Sequence, residues 1–204
     1  MITLNYPFTG PEKRKNLELI ASICRRGGIV IYPTETFYAI GGNALDKKLG
    51  ERLSQVKKRP PDKPFPTIVG NCSNLKKLVA SWPGDSRQLA TAFWPGALTM
   101  ILPGRDHLPA AITGEKNSIA VRWSSHPLIG ELAAFADCPL ISTSANLNRQ
   151  PPVQKAAELT PEMLAAADML IVADNDNPDP APSTIIDART TPPLILRPGA
   201  VEIA

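Results

Sequence analysis

An α/β fold built on a twisted, mixed sheet flanked by helices is what this sequence predicts, on three observations. Short apolar runs rich in β-branched residues alternate with amphipathic helical patterns along the chain, as expected of strands and helices packed in layers. Glycine and proline punctuate the joins. The 22 prolines among 204 residues are about twice the usual share, so loop shape is being specified. No internal repeat and no break in composition marks a second unit, so residues 1–204 are expected to form one domain, a length that suits one core.

The elements follow in order. Leu17, Ile20, Ala21 and Cys24 recur at helical spacing, Pro11 suits a first turn and Gly27-Gly28 ends it, so residues 11–26 read as a helix. Residues 28–32 read as a buried strand, and 33–42 as a hydroxyl-rich loop closing on Gly41-Gly42. Leu49, Leu53 and Val56 predict a helix that delivers Lys57 to a turn. A short strand at 67–70, a helix around Leu75, Leu78 and Val79, and a further helix near 85–94 lead into Trp94-Pro95-Gly96 and a strand over 97–102.

The second half repeats the alternation. Residues 118–122 form a strand ending on Arg122, 127–136 a helix, and 139–142 a strand opening into Thr143-Ser144-Ala145-Asn146-Leu147. Helical patterns near 153–166 precede strands over 169–172, 183–187 and 193–197. The run Asp174-Asn175-Asp176-Asn177-Pro178-Asp179 resembles a calcium loop but lacks its sixth-position glycine and twelfth-position glutamate, so it reads as a solvated turn.

Composition narrows the chemistry. Hydrophobic residues make up 43% and the net charge is +3, which permits an anionic ligand or RNA without requiring either. The only histidines are His107 and His126, too little material for a histidine-based zinc site or a Ser-His-Asp triad. Cys24, Cys72 and Cys138 have neither metal nor redox spacing, and are expected as reduced thiols of a cytoplasmic protein. No apolar run resembles a signal peptide or approaches the ~20 residues of a membrane span. Lysines, arginines, hydroxyls and amides are left to do the work.

The densest cluster is Lys57-Lys58-Arg59-Pro60-Pro61-Asp62-Lys63-Pro64. Proline disfavours helical geometry in the residue before it, so Arg59 is expected outside the helix. In an extended segment, side chains two apart share a face, and Lys57 and Arg59 would then converge on one anion. Ligands of open α/β sheets bind where strands run out into loops. Here those ends carry Thr34 and Thr36, Arg122, then Ser142, Ser144 and Asn146, and finally Arg197. Cations with hydroxyl and amide donors suit a ligand bearing both phosphate and carboxylate. Neither a P-loop nor a G-x-G-x-x-G turn is present, so any ATP site must be of another type.

Lys57-x-Arg59 followed by Ser144-x-Asn146 resembles the K-x-R … S-x-N signature of the YrdC-like family, the threonylcarbamoyl-adenylate synthases. Tyr32-Pro33-Thr34-Glu35-Thr36, Trp94-Pro95-Gly96, Ala120-Val121-Arg122, Ser142-Thr143-Ser144-Ala145-Asn146-Leu147 and Leu196-Arg197-Pro198-Gly199 stand in the family's order, from about residue 15 to 200. The resemblance implies a twisted sheet around a concave, positively charged cavity. It implies an enzyme that makes threonylcarbamoyl-AMP and pyrophosphate from L-threonine, bicarbonate and ATP, with magnesium accompanying the ATP. The product would feed modification of the adenosine next to the anticodon of certain tRNAs. Partners would be the tRNA-modification proteins that receive the adenylate, and tRNA or double-stranded RNA itself.

Carried over by position, Lys57, Arg59, Ser144 and Asn146 resemble the nucleotide and phosphate contacts at the centre of catalysis, with Lys63, Ser118 and Arg197 as further ATP neighbours. Thr34, Thr36 and Arg122 would hold threonine, Arg122 pairing its carboxylate, with Ser142 and Ser183 around the same pocket. The chain departs from the family at Ala39, where a glycine is usual, at Asn148-Arg149, which replace Ser-Gly, and at Ile68, where some members carry histidine. Two other readings stand beside the synthase: an RNA-binding protein of the same fold, and a paralogue acting on another carbamoyl or acyl adenylate. Little aromatic interleaving accompanies the basic residues, which counts against single-strand RNA binding.

Overall fold

The computed structural model of the protein describes residues 1–60, 63–148, 150–173 and 181–203. In chain order the elements are β1 (Ile2–Asn5), α1 (Glu12–Arg25), β2 (Val30–Tyr32), β3 (Ala39–Gly41), α2 (Lys47–Lys57), β4 (Thr67–Val69), α3 (Cys72–Leu78) and α4 (Ser86–Phe93). There follow β5 (Leu98–Pro103), β6 (Ser118–Trp123), α5 (Pro127–Ala136), β7 (Leu140–Ile141), β8 (Thr143–Ser144), α6 (Pro161–Ala166), β9 (Met169–Val172), β10 (Thr184–Asp187) and β11 (Leu194–Arg197).

The strands make two mixed sheets where one was expected: β1-β9-β2-β3-β8 and β11-β10-β5-β6-β4-β7. Parallel pairs (β1 with β9, β9 with β2, β5 with β10, β4 with β6) sit beside antiparallel ones in both. The chain passes from one sheet to the other between β7 and β8, where only Ser142 intervenes.

Two further expectations are corrected. Residues 33–42 are not all loop, because Ala39–Gly41 form β3, paired with both β2 and β8. The helical pattern near 153–166 is broken, since only a short 3-10 turn (Ala156–Glu158) precedes α6. The break has a cause. Thr160 caps α6 by accepting from the Met163 N–H at 3.3 Å, and Pro161 at its first turn cannot continue a preceding helix. The acidic run 174–179 lies outside the described residues.

Two apolar cores hold the layers together. The larger lies between the sheets and α2, with Ile31, Ile40, Leu49, Leu53, Met100, Val121 and Ile141 essentially without exposure. The second packs α1 and α5 against the five-stranded sheet through Leu17, Ile20, Leu128, Leu132, Tyr32 and Ile171. Each fully buried side chain of this size contributes about 1.5–3 kcal/mol. Helix α2 begins at Asp46, whose carboxylate accepts from the Lys48 and Leu49 N–H groups at 2.8 and 3.2 Å. It ends at Lys57, and Lys58 turns the chain in the left-handed region at φ 51°. Lys57 and Arg59 are therefore not alternate residues of an extended segment, and each leaves that turn on its own path.

Candidate active site

A cleft of about 730 Å³ opens on one face of the six-stranded sheet. Alternate strand residues share a face, and here they form the floor: Thr67, then Thr99 and Ile101, then Ala120 and Arg122, then Ile185. The walls come from the loop carrying Thr34 and Thr36, from Ser142 to Ser144 with Asn146, from Arg59, and from Ser183 with Arg197. Three arginines and no acidic side chain line the cleft among the described residues.

Arg122 sits at the end of β6, only 8% exposed. Its Nη1 donates to Glu35 Oε1 at 2.7 Å. The Ser124 hydroxyl donates to the other oxygen of the same carboxylate at 2.5 Å, and accepts from the His126 backbone N–H at 3.1 Å. One side of the guanidinium is thus fixed, and Arg122 also lines the cleft. Burial holds the His126 imidazole below its usual range. Glu35 and Ser124 were not among the residues expected at the site. The available signal was alternation: an acid between two inward threonines points the other way, toward whatever supports the pocket.

Thr34 and Thr36 lie 3.1 Å apart through their hydroxyls, and Thr34 Oγ1 accepts from the Thr36 N–H and donates to the Phe37 carbonyl. Thr34 is thereby committed to the turn, and both threonines line the cleft together with Arg122. On the far wall Arg197 donates to the Ser183 carbonyl at 2.6 Å and to its hydroxyl at 3.1 Å, and Ser183 meets Thr99 Oγ1 at 2.9 Å. Burial, then the charge of nearby Arg122, lowers the Arg197 pKa, as expected for two guanidiniums facing one space. Arg59 donates to the Lys63 and Pro64 carbonyls and lies over the Phe65 ring at 5.0 Å.

Lys57 is buried, and its ammonium is spent on the chain itself. It donates to the Ser144 carbonyl at 2.5 Å, the Asn146 carbonyl at 2.8 Å and Asn146 Oδ1 at 3.4 Å. Asn146 also accepts from the Ser144 hydroxyl at 2.5 Å and donates to the Gln150 carbonyl. The K-x-R and S-x-N pairs are therefore joined in space, with Lys57 behind the wall that Ser144 and Asn146 present. Burial, then the Arg59 charge, pushes the Lys57 ammonium down to about 8.

Not every expected residue reaches the cleft. Ser118 stands at the other end of β6, about 13 Å from Arg122 at ~3.3 Å per residue. Lys63 lines a separate groove of about 930 Å³ with Lys47, Lys58 and His107, and Arg59 is the one residue shared by groove and cleft. Ala39 lies on the cleft surface, paired with Ser144, so its methyl fits where the family's glycine would stand. Ile68 is fully buried in the second core and contributes nothing to the cleft. Among the described residues no group of three or more His, Cys, Asp or Glu side chains could hold a metal ion.

The Sua5/YciO/YrdC family model, described as telomere recombination, matches residues 22–199. The chain belongs to that family. It is 35% identical over 179 residues to the threonylcarbamoyl-AMP synthase of Xanthomonas axonopodis pv. citri, covering 86% of this chain and 94% of that one. It is 32% identical to the threonylcarbamoyl-AMP synthase of Pyrococcus abyssi over 187 residues, covering 92% of this chain but 55% of that protein. The chain thus spans about half the length of the archaeal relative. The crystal structure of P. abyssi Sua5 complexed with L-threonine superposes with a TM-score of 0.86 at 30% identity, covering 97% of this chain and 57% of that one. Both sheets and the helices flanking them are accordingly the family's own.

Proposed function

We propose that this protein is a threonylcarbamoyl-AMP synthase, a nucleotidyltransferase that uses L-threonine, bicarbonate and ATP. The observation that carries the reading is Arg122: a buried guanidinium half-engaged by Glu35, beside Thr36, in one cleft with Arg59 and Arg197. An amino acid's carboxylate pairs with the free side of Arg122, and the Thr36 hydroxyl lies within the same pocket. The amine condenses with bicarbonate to a carbamate, losing water. A carbamate oxygen then attacks the α-phosphorus of ATP, and pyrophosphate leaves with the electrons of the broken P–O bond.

Charge that develops on the phosphoryl oxygens is met by cations and donors already in place, which lowers the barrier without a side-chain nucleophile. Arg59 and Arg197 supply the cations, and Ser144 with Asn146 supplies donors on a wall that Lys57 holds. The cleft's donor set does not suit a protein-held magnesium, which prefers carboxylate oxygens; magnesium enters with the nucleotide as part of the substrate. No helix among the described residues is long and apolar enough to cross a membrane. The adenylate is a reactive mixed anhydride that must pass promptly to an acceptor nucleophile, and the family resemblance supports an acceptor in tRNA modification.

The test is pyrophosphate release from ATP and bicarbonate with and without L-threonine, using L-serine as comparison. Threonine-dependent release, lost in Arg122→Ala, is the expected result. Release that ignores the amino acid, or none from folded protein that binds ATP, would overturn the assignment.

A further inference from the structure

The tryptophan motif that the cleft leaves unused marks a second site. A cavity of about 450 Å³ lies beside α3 and α4, and Trp82, Trp94 and Trp123 all line it. These are the protein's only three tryptophans. Trp123 follows Arg122 on β6, and consecutive strand residues face opposite sides, so this cavity and the catalytic cleft back onto one another across the sheet. All three rings are partly exposed. Trp82 and Trp94 meet edge to face, with centroids 6.2 Å apart, and Trp94 Nε1 is anchored to the Leu98 carbonyl at 2.6 Å. Trp94 is thus held in position with Trp82 against it, and the three rings line an open space of a volume typical of small-molecule sites.

The charges at this cavity have one sign. Lys76 and Arg87 are both exposed, and no acidic residue joins them in its lining. Among the described residues neither takes part in an ion pair. Flat aromatic walls favour a planar π system, while two unpaired cations favour an anion. Inorganic phosphate would leave the indoles unused, and an apolar side chain would leave the cations unused. A base carrying its phosphate uses both.

We propose that this cavity is a second nucleotide-binding site, taking one base against the tryptophans and its phosphate on Arg87 and Lys76. The same chemistry is presented by a free mononucleotide and by an unpaired nucleotide of an RNA strand. Removing one stacking ring from such a site lowers affinity roughly 5- to 150-fold.

Because every tryptophan lies here, intrinsic tryptophan fluorescence reports on this site. AMP and a single-stranded oligoadenylate are titrated into the full chain, into Arg87→Glu and Trp82→Ala, and into Arg59→Ala, which disables nucleotide binding in the cleft. The expected result is saturable quenching, at least fivefold weaker in Arg87→Glu and Trp82→Ala and unchanged in Arg59→Ala. Arg87 is exposed, so its variant keeps the test valid should Trp82→Ala fail to fold. Tighter binding of the oligonucleotide than of AMP would assign the site to an RNA strand; equal or tighter AMP would assign it to a free nucleotide. No saturation by either probe, saturation by indole alone, or quenching lost in Arg59→Ala but kept in Arg87→Glu would overturn the proposal.

Discussion

In the proposed reading Arg122 pairs with a carboxylate on one side while Glu35, itself held by the Ser124 hydroxyl, fixes the other. A buried arginine with one partner removed is both mobile and uncompensated, and hydrogen bonds to charged groups are worth about 1.5–3 kcal/mol. Glu35→Gln should therefore raise the KM for L-threonine by ~10-fold or more, while the KM for ATP stays within about twofold because Arg59 and Arg197 are untouched. Steady-state kinetics with each substrate varied in turn checks this; equal loss toward both substrates would mean that Glu35 merely supports the fold. Lys57 gives opposed pH trends. Its folded pKa of about 8 lies below the unfolded value of 10.5. Between the two the unfolded chain binds more protons, so this residue's contribution to stability rises with pH across that window. Activity should fall over the same range, as deprotonation removes a donor from the Ser144–Asn146 pin. Thermal melts and rates from pH 7 to 10 against Lys57→Met test the pair of trends, and a stability that falls above pH 8 relative to that variant would contradict it.

At the scale of elements, what repeats over several turns was legible and what is made by distant pairing was not. Leu17, Ile20, Ala21 and Cys24 are all buried on α1, as their spacing requires. Strand β3 has three residues and β8 has two, too short for any period, and each is defined by the partner it meets rather than by its own residues. Strand β1 is mostly exposed and is held by main-chain pairing to β9, and its Ile2–Leu4 alternation is too short to announce it. The seam between the sheets is tight at Gly41, where a Cβ would stand 1.7 Å from the Ile141 carbonyl oxygen. Gly41→Ala should cost about 3 kcal/mol or more, because backbone rather than a flexible side chain must move; a urea midpoint unchanged from wild type would refute that reading. Asp46→Ala should cost about 1 kcal/mol through the lost cap of α2, measured the same way, and should weaken activity more than its distance from the cleft suggests, because α2 delivers Lys57.

Over the whole molecule, the tightest of the three chain crossings between the two sheets is at Ser142, and the cleft lies beside that crossing. That Thr36, Arg122, Ser144, Asn146 and Arg197 line one cleft was legible because they stand near strand ends inside short ordered motifs. Glu35 and Ser124 were not, since a supporting residue shows itself only through the atom it touches. The reach of Lys57 into the Ser144–Asn146 wall was hidden for the same reason: residues 87 and 89 positions apart meet only after folding. In the proposed function the cleft is a single space with an amino-acid end at Arg122 and a phosphate end at Arg59. The most direct measurement is the paired kinetics of Arg122→Ala and Arg59→Ala, with L-threonine and ATP each varied at saturating partner. Arg122→Ala is expected to raise the threonine KM and spare that of ATP, while Arg59→Ala does the reverse. Both variants impairing the same substrate alone would contradict it.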